Sequence, residues 1–516
     1  MTTDAGFVKM FGIIKGSVIM LYTSTRNSSV RVTASKAITD GISPDGGLYI
    51  PVEIPQISDD FLKELCSLDY IGRAEKILGL YLSDFSKEEL SSCVHGAYKK
   101  GKFSSEYTAP TVKLNDTLSV LELFRGPTCA FKDMALQILP YLMTVSASKN
   151  LDNKEIVILV ATSGDTGKAA LEGFKDVKGT KILVFYPADG VSPMQKLQMT
   201  SQEGANVGVA AIRGNFDDAQ TGVKSIFTNK DILEKFKENN LVFSSANSIN
   251  WGRLAPQIVY YFSSYCDLVN SGSIEFGEKI NFVVPTGNFG NILAAYFAKE
   301  MGLPVNRLIC ASNANNVLTD FIETGVYDRN RKFVTTVSPS MDILISSNLE
   351  RLLYLLCGRD SDVINTWFSS LKETGRYEVS DDVKAKIKAV FSAGFCDDVK
   401  TKAAIKETYE KYSYLSDTHT GVALCVYNEY ENKTGDKTKT VIASTASPFK
   451  FSAAVLDALG KKDDSADEFS TLSALEEYTG EKAPESLAAL KGKKVRFGDV
   501  IDKSEMADAV FKMLGI

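Results

Sequence analysis

An α/β fold of parallel sheets with crossover helices, preceded by a small helix-rich domain, is what this sequence predicts, on three observations. From Val120 onward, short β-branched runs alternate with helical stretches, the pattern of strands buried on both faces. Two of those runs empty into glycine-rich turns that open helices. The chain has 516 residues, more than one compact core holds, so two or three domains are expected.

Residues 1–20 read as an N-terminal extension. Its run from Phe11 to Tyr22 is apolar, but Lys15 interrupts it and no small-residue cleavage site follows, so a start at Met20 is a plainer expectation than a signal peptide. Residues 21–100 read as the helix-rich domain, with helices at 59–68 and 86–100 and a proline-marked loop at Tyr49-Ile-Pro-Val-Glu-Ile-Pro55. Strands are expected at 156–160, 182–186, 207–212, 241–244, 282–284 and 308–311, within an α/β region spanning 101–460. Segment 380–412 is charged with a helical period and reads as a solvated helical face. Residues 461–516 read as a C-terminal helical segment, and 461–490 within it as exposed loop and helix. No run is long enough to span a membrane.

The glycine turns carry the first chemical signal. Glu155-Ile-Val-Ile-Leu-Val-Ala-Thr162 runs into Ser163-Gly-Asp-Thr-Gly167 and then a helical stretch. Ile280-Asn-Phe-Val-Val-Pro-Thr286 runs into Gly287-Asn-Phe-Gly-Asn291 in the same way. A strand, a turn of small residues and a helix start together aim free backbone N–H groups at an anion. Glycine lets that backbone approach phosphate oxygens closely. A single such turn has a purely steric explanation.

Lys132 carries the second signal. It lies between Phe131 and Asp133, after the Gly126-Pro127 break and before a helix-forming stretch. Alone, a lysine at a helix start is a solvated surface residue. Buried against apolar neighbours such as Phe131 and Met134, it sheds its proton near neutral pH and can form an imine with an aldehyde cofactor. Two anion turns beside such a lysine favour the second reading.

Composition narrows the alternatives. The chain is 44% hydrophobic and 24% charged, with a net charge of −6 and scattered Lys and Arg, so no nucleic-acid partner is expected. Its eight cysteines form no CxxC pair and read as reduced thiols of a cytoplasmic protein. Only His95 and His419 are present, which disfavours a zinc site and a Ser-His-Asp hydrolase, and no metal is expected. A cofactor acting as electron sink, with a lysine moving protons, suits this inventory.

Five segments together resemble one family. They are Gly126-Pro-Thr-Cys-Ala-Phe-Lys-Asp133, Ala161-Thr-Ser-Gly-Asp-Thr-Gly-Lys168, Pro285-Thr-Gly-Asn-Phe-Gly-Asn291, Ser338-Pro-Ser-Met-Asp-Ile343 with Ser346-Ser-Asn-Leu-Glu-Arg351, and Ser444-Thr-Ala-Ser-Pro448. With Tyr22-Thr-Ser-Thr-Arg26 and Gly41-Ile-Ser-Pro-Asp-Gly-Gly-Leu48, they resemble the longer, bacterial and fungal form of the threonine synthases, from about Leu21 to the C-terminus.

The resemblance implies a pyridoxal 5′-phosphate enzyme of fold type II, the tryptophan-synthase-β-like fold. It would have two parallel-sheet α/β subdomains in the catalytic region and a dedicated N-terminal domain. By the same resemblance Lys132 carries the cofactor, Gly287, Asn288, Phe289, Gly290 and Asn291 hold its phosphate, and Thr445 faces the pyridine nitrogen. Ser163, Asp165 and Thr166 lie in the turn for the substrate's α-carboxylate, and Asn247, Ser248 and Arg253 match the pocket for the substrate's phosphate. Arginine suits that task, because its planar fork donates in pairs. Asp165 faces a difficulty there, since carboxylates repel, so its side chain is expected to turn away and brace the loop.

The family commonly has histidine before Gly-Pro-Thr, and here that position is Arg125. A guanidinium does not give up its proton at neutral pH, so any proton transfer at that position is lost, whereas packing or anion holding survives. The implied reaction is O-phospho-L-homoserine plus water to L-threonine plus phosphate, the last step of threonine biosynthesis, by a monomer or homodimer. Two alternatives stay open: a threonine-synthase-like phospho-lyase that releases 2-oxobutyrate, and a non-catalytic interaction protein on the same fold.

Overall fold

A computed structural model describes residues 11–14, 17–152, 154–162, 164–189, 191–461 and 467–516. Eleven strands build its two large sheets, numbered here in chain order: β1 Thr111–Lys113, β2 Leu118–Glu122, β3 Glu155–Ala161, β4 Thr180–Pro187, β5 Val207–Arg213, β6 Leu241–Ser244, β7 Ile280–Pro285, β8 Val305–Ser312, β9 Phe391–Phe395, β10 Thr440–Ser444 and β11 Val500–Asp502. One sheet runs in the order β6-β3-β4-β5-β11 and is wholly parallel. The other runs β9-β8-β7-β10-β2-β1 and is parallel except where β1 meets β2. All six expected strands form.

Burial explains why the strands read as apolar runs rather than alternating ones. Every residue of β7 and β10 is buried, so both faces of the central strands are covered by helices. Six helices matter for the site: α1 Asp133–Leu136, α2 Asp165–Phe174, α3 Pro193–Thr200, α4 Trp251–Asn270, α5 Gly290–Glu300 and α6 Thr418–Thr434. α4 is buried almost throughout, and Trp251 at its start has edge contacts with Tyr22, Tyr81 and Phe297 at 5.3–5.5 Å. That cluster joins the N-terminal region to the sheet-bearing core.

Polar caps set the helix starts in the N-terminal region. Ser58 and Asp69 cap Asp59–Ser67 and Tyr70–Tyr81, and Ser86 with Glu89 makes a reciprocal capping box on Lys87–Tyr98. The expected loop at residue 49 is instead a strand, Tyr49–Pro51, which pairs antiparallel with Tyr22–Ser24. Pro51 is tolerated because that strand lies at the edge of its three-stranded sheet.

Segment 380–412 also differs from expectation: two helices, Asp381–Val390 and Asp398–Tyr412, flank β9. The C-terminal region is helical at Glu468–Thr479, but it also supplies β11 to the edge of the five-stranded sheet. Among the described residues no helix is long and apolar enough to cross a membrane.

Candidate active site

The strand order brings distant loops together. β7, β10 and β2 are adjacent and parallel, so the loops leaving their carboxyl ends, at 286–291, 445–450 and 123–132, meet in one place. The exits of β3 and β6, at 164–166 and 245–253, approach from the other sheet, bringing Asp165 to Lys132 and Ser248 to Asn348.

The 123–132 loop is stitched to the exit of β10. Phe131 N–H donates to the Thr445 carbonyl at 2.8 Å, Ser447 N–H donates to the Cys129 carbonyl at 3.1 Å, and Ala130 bridges Ala446. Asp133 braces the loop from beneath, accepting from the Thr128 N–H and hydroxyl, both at 2.8 Å. Burial raises the Asp133 carboxyl to about 6 against those two bonds. Gly126 is required here, since a Cβ would meet the Asp133 carboxylate at 2.5 Å.

Lys132 emerges from this loop just before α1. Its side chain is 11% exposed, its Nζ lies 3.6 Å from Asp165 Oδ2 and sits 4.6 Å from the centre of the Phe131 ring. Burial pushes its proton affinity below that of an ordinary lysine; Asp165 pulls it back up, while Lys450 and Arg253 add to the fall.

Asp165 does not turn away from the site as expected. Its carboxylate accepts from Lys450 at 2.5 Å, Gln195 at 3.0 Å and Ser340 at 3.2 Å, in addition to facing Lys132. Burial alone would raise it, but Lys450 and Lys132 hold it well below the usual carboxylate range. Thr166 is half-buried beside it. Ser163, the other residue expected in this turn, lies outside the described residues.

The 286–291 loop has the shape of an anion cradle. Phe289 adopts a left-handed φ of 65° immediately before α5, turning the chain so that α5 opens onto the site. A Cβ on Gly287 would come 2.8 Å from the Ser340 carbonyl oxygen, so glycine is needed for that close approach. Asn288 is exposed, and Asn291 is buried. The hydroxyls of Tyr260 and Tyr261 both donate to Asn291 Oδ1, which leaves its buried Nδ2 donors without a partner. Thr445 is 6% exposed, and its hydroxyl bonds to no described residue.

Arg253, on the first turn of α4, is buried with no carboxylate partner among the described residues. One nitrogen donates to the Ala246 carbonyl, and Nε has no partner. Asn247 and Ser248 are half-buried in the loop before it. Asn348 links that loop to the anion cradle: its side chain donates to the Ser248 carbonyl at 3.2 Å and its N–H to the Asn288 carbonyl at 3.0 Å. Arg351, fully buried, donates to Asn348 Oδ1 and to the carbonyls of Ile249 and Tyr49.

These residues suit a phosphorylated aldehyde. Asn291 offers donors beside a helix N-terminus, and Lys132 offers an amine that sheds its proton easily. Sequence reasoning missed Lys450 and Gln195, and it quoted Ser340, Asn348 and Arg351 within the family-like segments without giving them a role. Lys450 stands between Phe449 and Phe451, and like Lys132 it directly follows a phenylalanine.

Two residues raised by the sequence have other partners. Arg125 binds Glu122 at 2.5–2.7 Å. His419 bonds Asp417 at 2.8 Å and accepts from the Ser340 N–H at 3.1 Å. The Ser340 hydroxyl points to Asp165 instead of the imidazole, so this is not a hydrolase triad.

Family models match nearly the whole chain: "Threonine synthase N terminus" over residues 21–98, "Pyridoxal-phosphate dependent enzyme" over 108–446 and "Threonine synthase, C-terminal" over 420–508. Human threonine synthase-like 1 is 40% identical over 439 residues, covering 83% of this chain and 58% of that protein, so the chain matches little more than half the length of that relative. Threonine synthase of Saccharomyces cerevisiae is 37% identical over 467 residues, covering 85% and 89%. The crystal structure of the yeast enzyme superposes with a TM-score of 0.85 at 34% identity, over 96% of this chain and 99% of that one. The pyridoxal-phosphate-bound threonine synthase of Brucella melitensis gives 0.84 at 35% identity, with the same coverage.

Proposed function

Because the chain belongs to the threonine synthase family of pyridoxal-phosphate-dependent, fold type II enzymes, we propose that it converts O-phospho-L-homoserine and water to L-threonine and phosphate, as a carbon–oxygen lyase. The observation that carries this reading is Arg253: a buried guanidinium with no counterion among the described residues, close enough to Lys132 to bear on its charge, asks for an anionic substrate.

When bound, pyridoxal phosphate supplies an electron sink for bonds broken beside the substrate's amino group. Gly287, Asn288, Phe289, Gly290 and Asn291 would hold its phosphate through the N-terminus of α5 and the free Asn291 amide. Thr445 would offer the ring nitrogen a neutral hydroxyl, which would favour elimination and replacement over transamination.

Lys132 Nζ is the base and acid of the site, removing protons at Cα and then Cβ and returning them at Cγ and Cα. Ser163, Thr166 and the backbone between them receive the substrate's α-carboxylate. Asp165 does not oppose that carboxylate, because Lys450 already offsets its charge. Asn247, Ser248 and Arg253 hold the substrate's phosphate and meet its charge as the bond to Cγ breaks. Water then adds at Cβ, which separates threonine formation from release of 2-oxobutyrate. Eight free thiols support a cytoplasmic location.

The test is product identification. Incubation with O-phospho-L-homoserine is expected to yield equimolar threonine and phosphate. Formation of 2-oxobutyrate and ammonia instead would assign the phospho-lyase reaction. No consumption by protein whose Lys132 carries the cofactor would overturn both.

A further inference from the structure

One carboxylate in this site serves two buried amines. Asp165 Oδ1 takes the Lys450 ammonium at 2.5 Å, while Lys132 stands 3.6 Å from Oδ2. A single negative charge offsets a single positive one, and a second ammonium in the same dry pocket pays the full cost of desolvation unless it loses its proton.

The two lysines do not compete equally. Lys450 has no exposure, the shorter contact and a second acceptor, the Thr128 carbonyl at 3.0 Å. Lys132 has the longer contact, 11% exposure and, among the described residues, no carbonyl acceptor for its Nζ. Lys450 also ties together the two parts it would have to align, since Thr128 lies in the Lys132 loop and Asp165 opens α2.

We propose that Lys450 is a positioning residue that claims the charge of Asp165, and thereby leaves the Lys132 amine unprotonated and able to bond an aldehyde at neutral pH. The chemistry requires this: the nitrogen lone pair attacks the aldehyde carbon and the oxygen departs as water, and an ammonium has no lone pair.

Three charged groups face Lys132: Asp165 from α2, Lys450 from the turn after β10, and Arg253 from α4. Asp133 is engaged by Thr128 on the other side of the loop, and His419 reaches Asp165 only through Ser340. The balance of those groups agrees with the proposal, since Lys450 and Arg253 both lower the proton affinity of Lys132 and Asp165 alone raises it, beside the larger effect of burial. Without the Lys450 charge, Asp165 is free to become the full partner of Lys132, which then keeps its proton to higher pH.

The inference rests on Lys132 being the cofactor lysine, and the experiment separates the two claims. Full-length protein freed of cofactor is pulse-labelled with acetic anhydride across neutral to alkaline pH. Peptide mass spectrometry follows Lys132 against an exposed lysine in the same digest. Lys450→Met is expected to raise the Lys132 labelling midpoint by about one pH unit, a roughly tenfold loss of reactivity at neutral pH. Lys450→Gln, which keeps hydrogen-bond donors, is expected to do the same and covers the case in which the methionine variant does not fold.

Lys450→Arg keeps the charge and is expected to stay at the wild-type midpoint, whereas a merely structural role would move all three variants alike. Asp165→Asn is expected to lower the midpoint. An unchanged or lowered midpoint in the neutral variants, an equal rise in the arginine variant, or a rise in Asp165→Asn overturns the proposal. Hydride trapping that tags another lysine sinks the functional reading but leaves the midpoint comparison valid by itself.

Discussion

Replacing Arg253 with methionine separates binding from folding. The methionine fills the volume of the arginine stem and removes the guanidinium. A charge-assisted hydrogen bond is worth about 1.5–3 kcal/mol, so losing a two-pronged grip on a departing phosphate costs about 3–6 kcal/mol in the transition state. At about 1.36 kcal/mol per decade, kcat/KM with O-phosphohomoserine falls by roughly two to four orders of magnitude.

The folded protein loses much less. Its one recorded internal bond from this side chain goes to the Ala246 carbonyl, worth about 1 kcal/mol, and the guanidinium has no counterion among the described residues. Removing an uncompensated buried charge offsets that loss, so the melting temperature without ligand is expected to hold or rise. Inorganic phosphate should stabilise the wild type and leave Arg253→Met unchanged. Steady-state kinetics and thermal melts with and without phosphate make the measurement. Unchanged kcat/KM, or a melt that drops together with activity, refutes the assignment.

Other substitutions probe the rest of the site. Lys132→Ala is expected to abolish turnover, and borohydride should then leave no pyridoxyl tag on that peptide. Gly287→Ala drives a Cβ to 2.8 Å from the Ser340 carbonyl, so the cradle must shift and the cofactor should dissociate at least about tenfold more readily, read by absorbance titration. Asp133, raised to about 6 by burial despite the Thr128 bonds, binds its proton more tightly folded than unfolded. Its contribution is therefore fully present below an unfolded value of about 4 and is lost as pH rises through about 6, on the order of 3 kcal/mol in all. Denaturant melts of Asp133→Asn between those values should lack that slope, and an identical slope would refute it.

Local signals were readable in the sequence, and partners across the fold were not. The glycine turns after β3 and β7 are legible because the conformations they need are set by neighbouring residues. Strand β9, Phe-Ser-Ala-Gly-Phe, is poor in β-branched residues and lies between charged helices. It is a strand because it pairs with β8, and that pairing leaves no mark on its own composition. Asp165 looked unsuited to a carboxylate-binding turn because the lysine that offsets it is 285 residues away in the chain. Lys450 follows a phenylalanine as Lys132 does, but only its contact with Asp165 across the fold shows that it belongs to the site. Tyr49–Pro51 reads as a loop from its prolines and becomes a strand through its pairing with Tyr22–Ser24.

Arg351 sets a timetable for the newborn chain. The carbonyl it grips at Tyr49 leaves the ribosome 302 residues before the guanidinium that completes it. At about 5–20 residues per second, that interval lasts roughly 15–60 s. For most of it, the aromatic surface around Tyr22 and Tyr81 also lacks Trp251 and Phe297, against which it finally packs. The leading segment is thus a guest awaiting its host during translation, and the stretch of synthesis before residue 351 emerges is when a chaperone has most to hold.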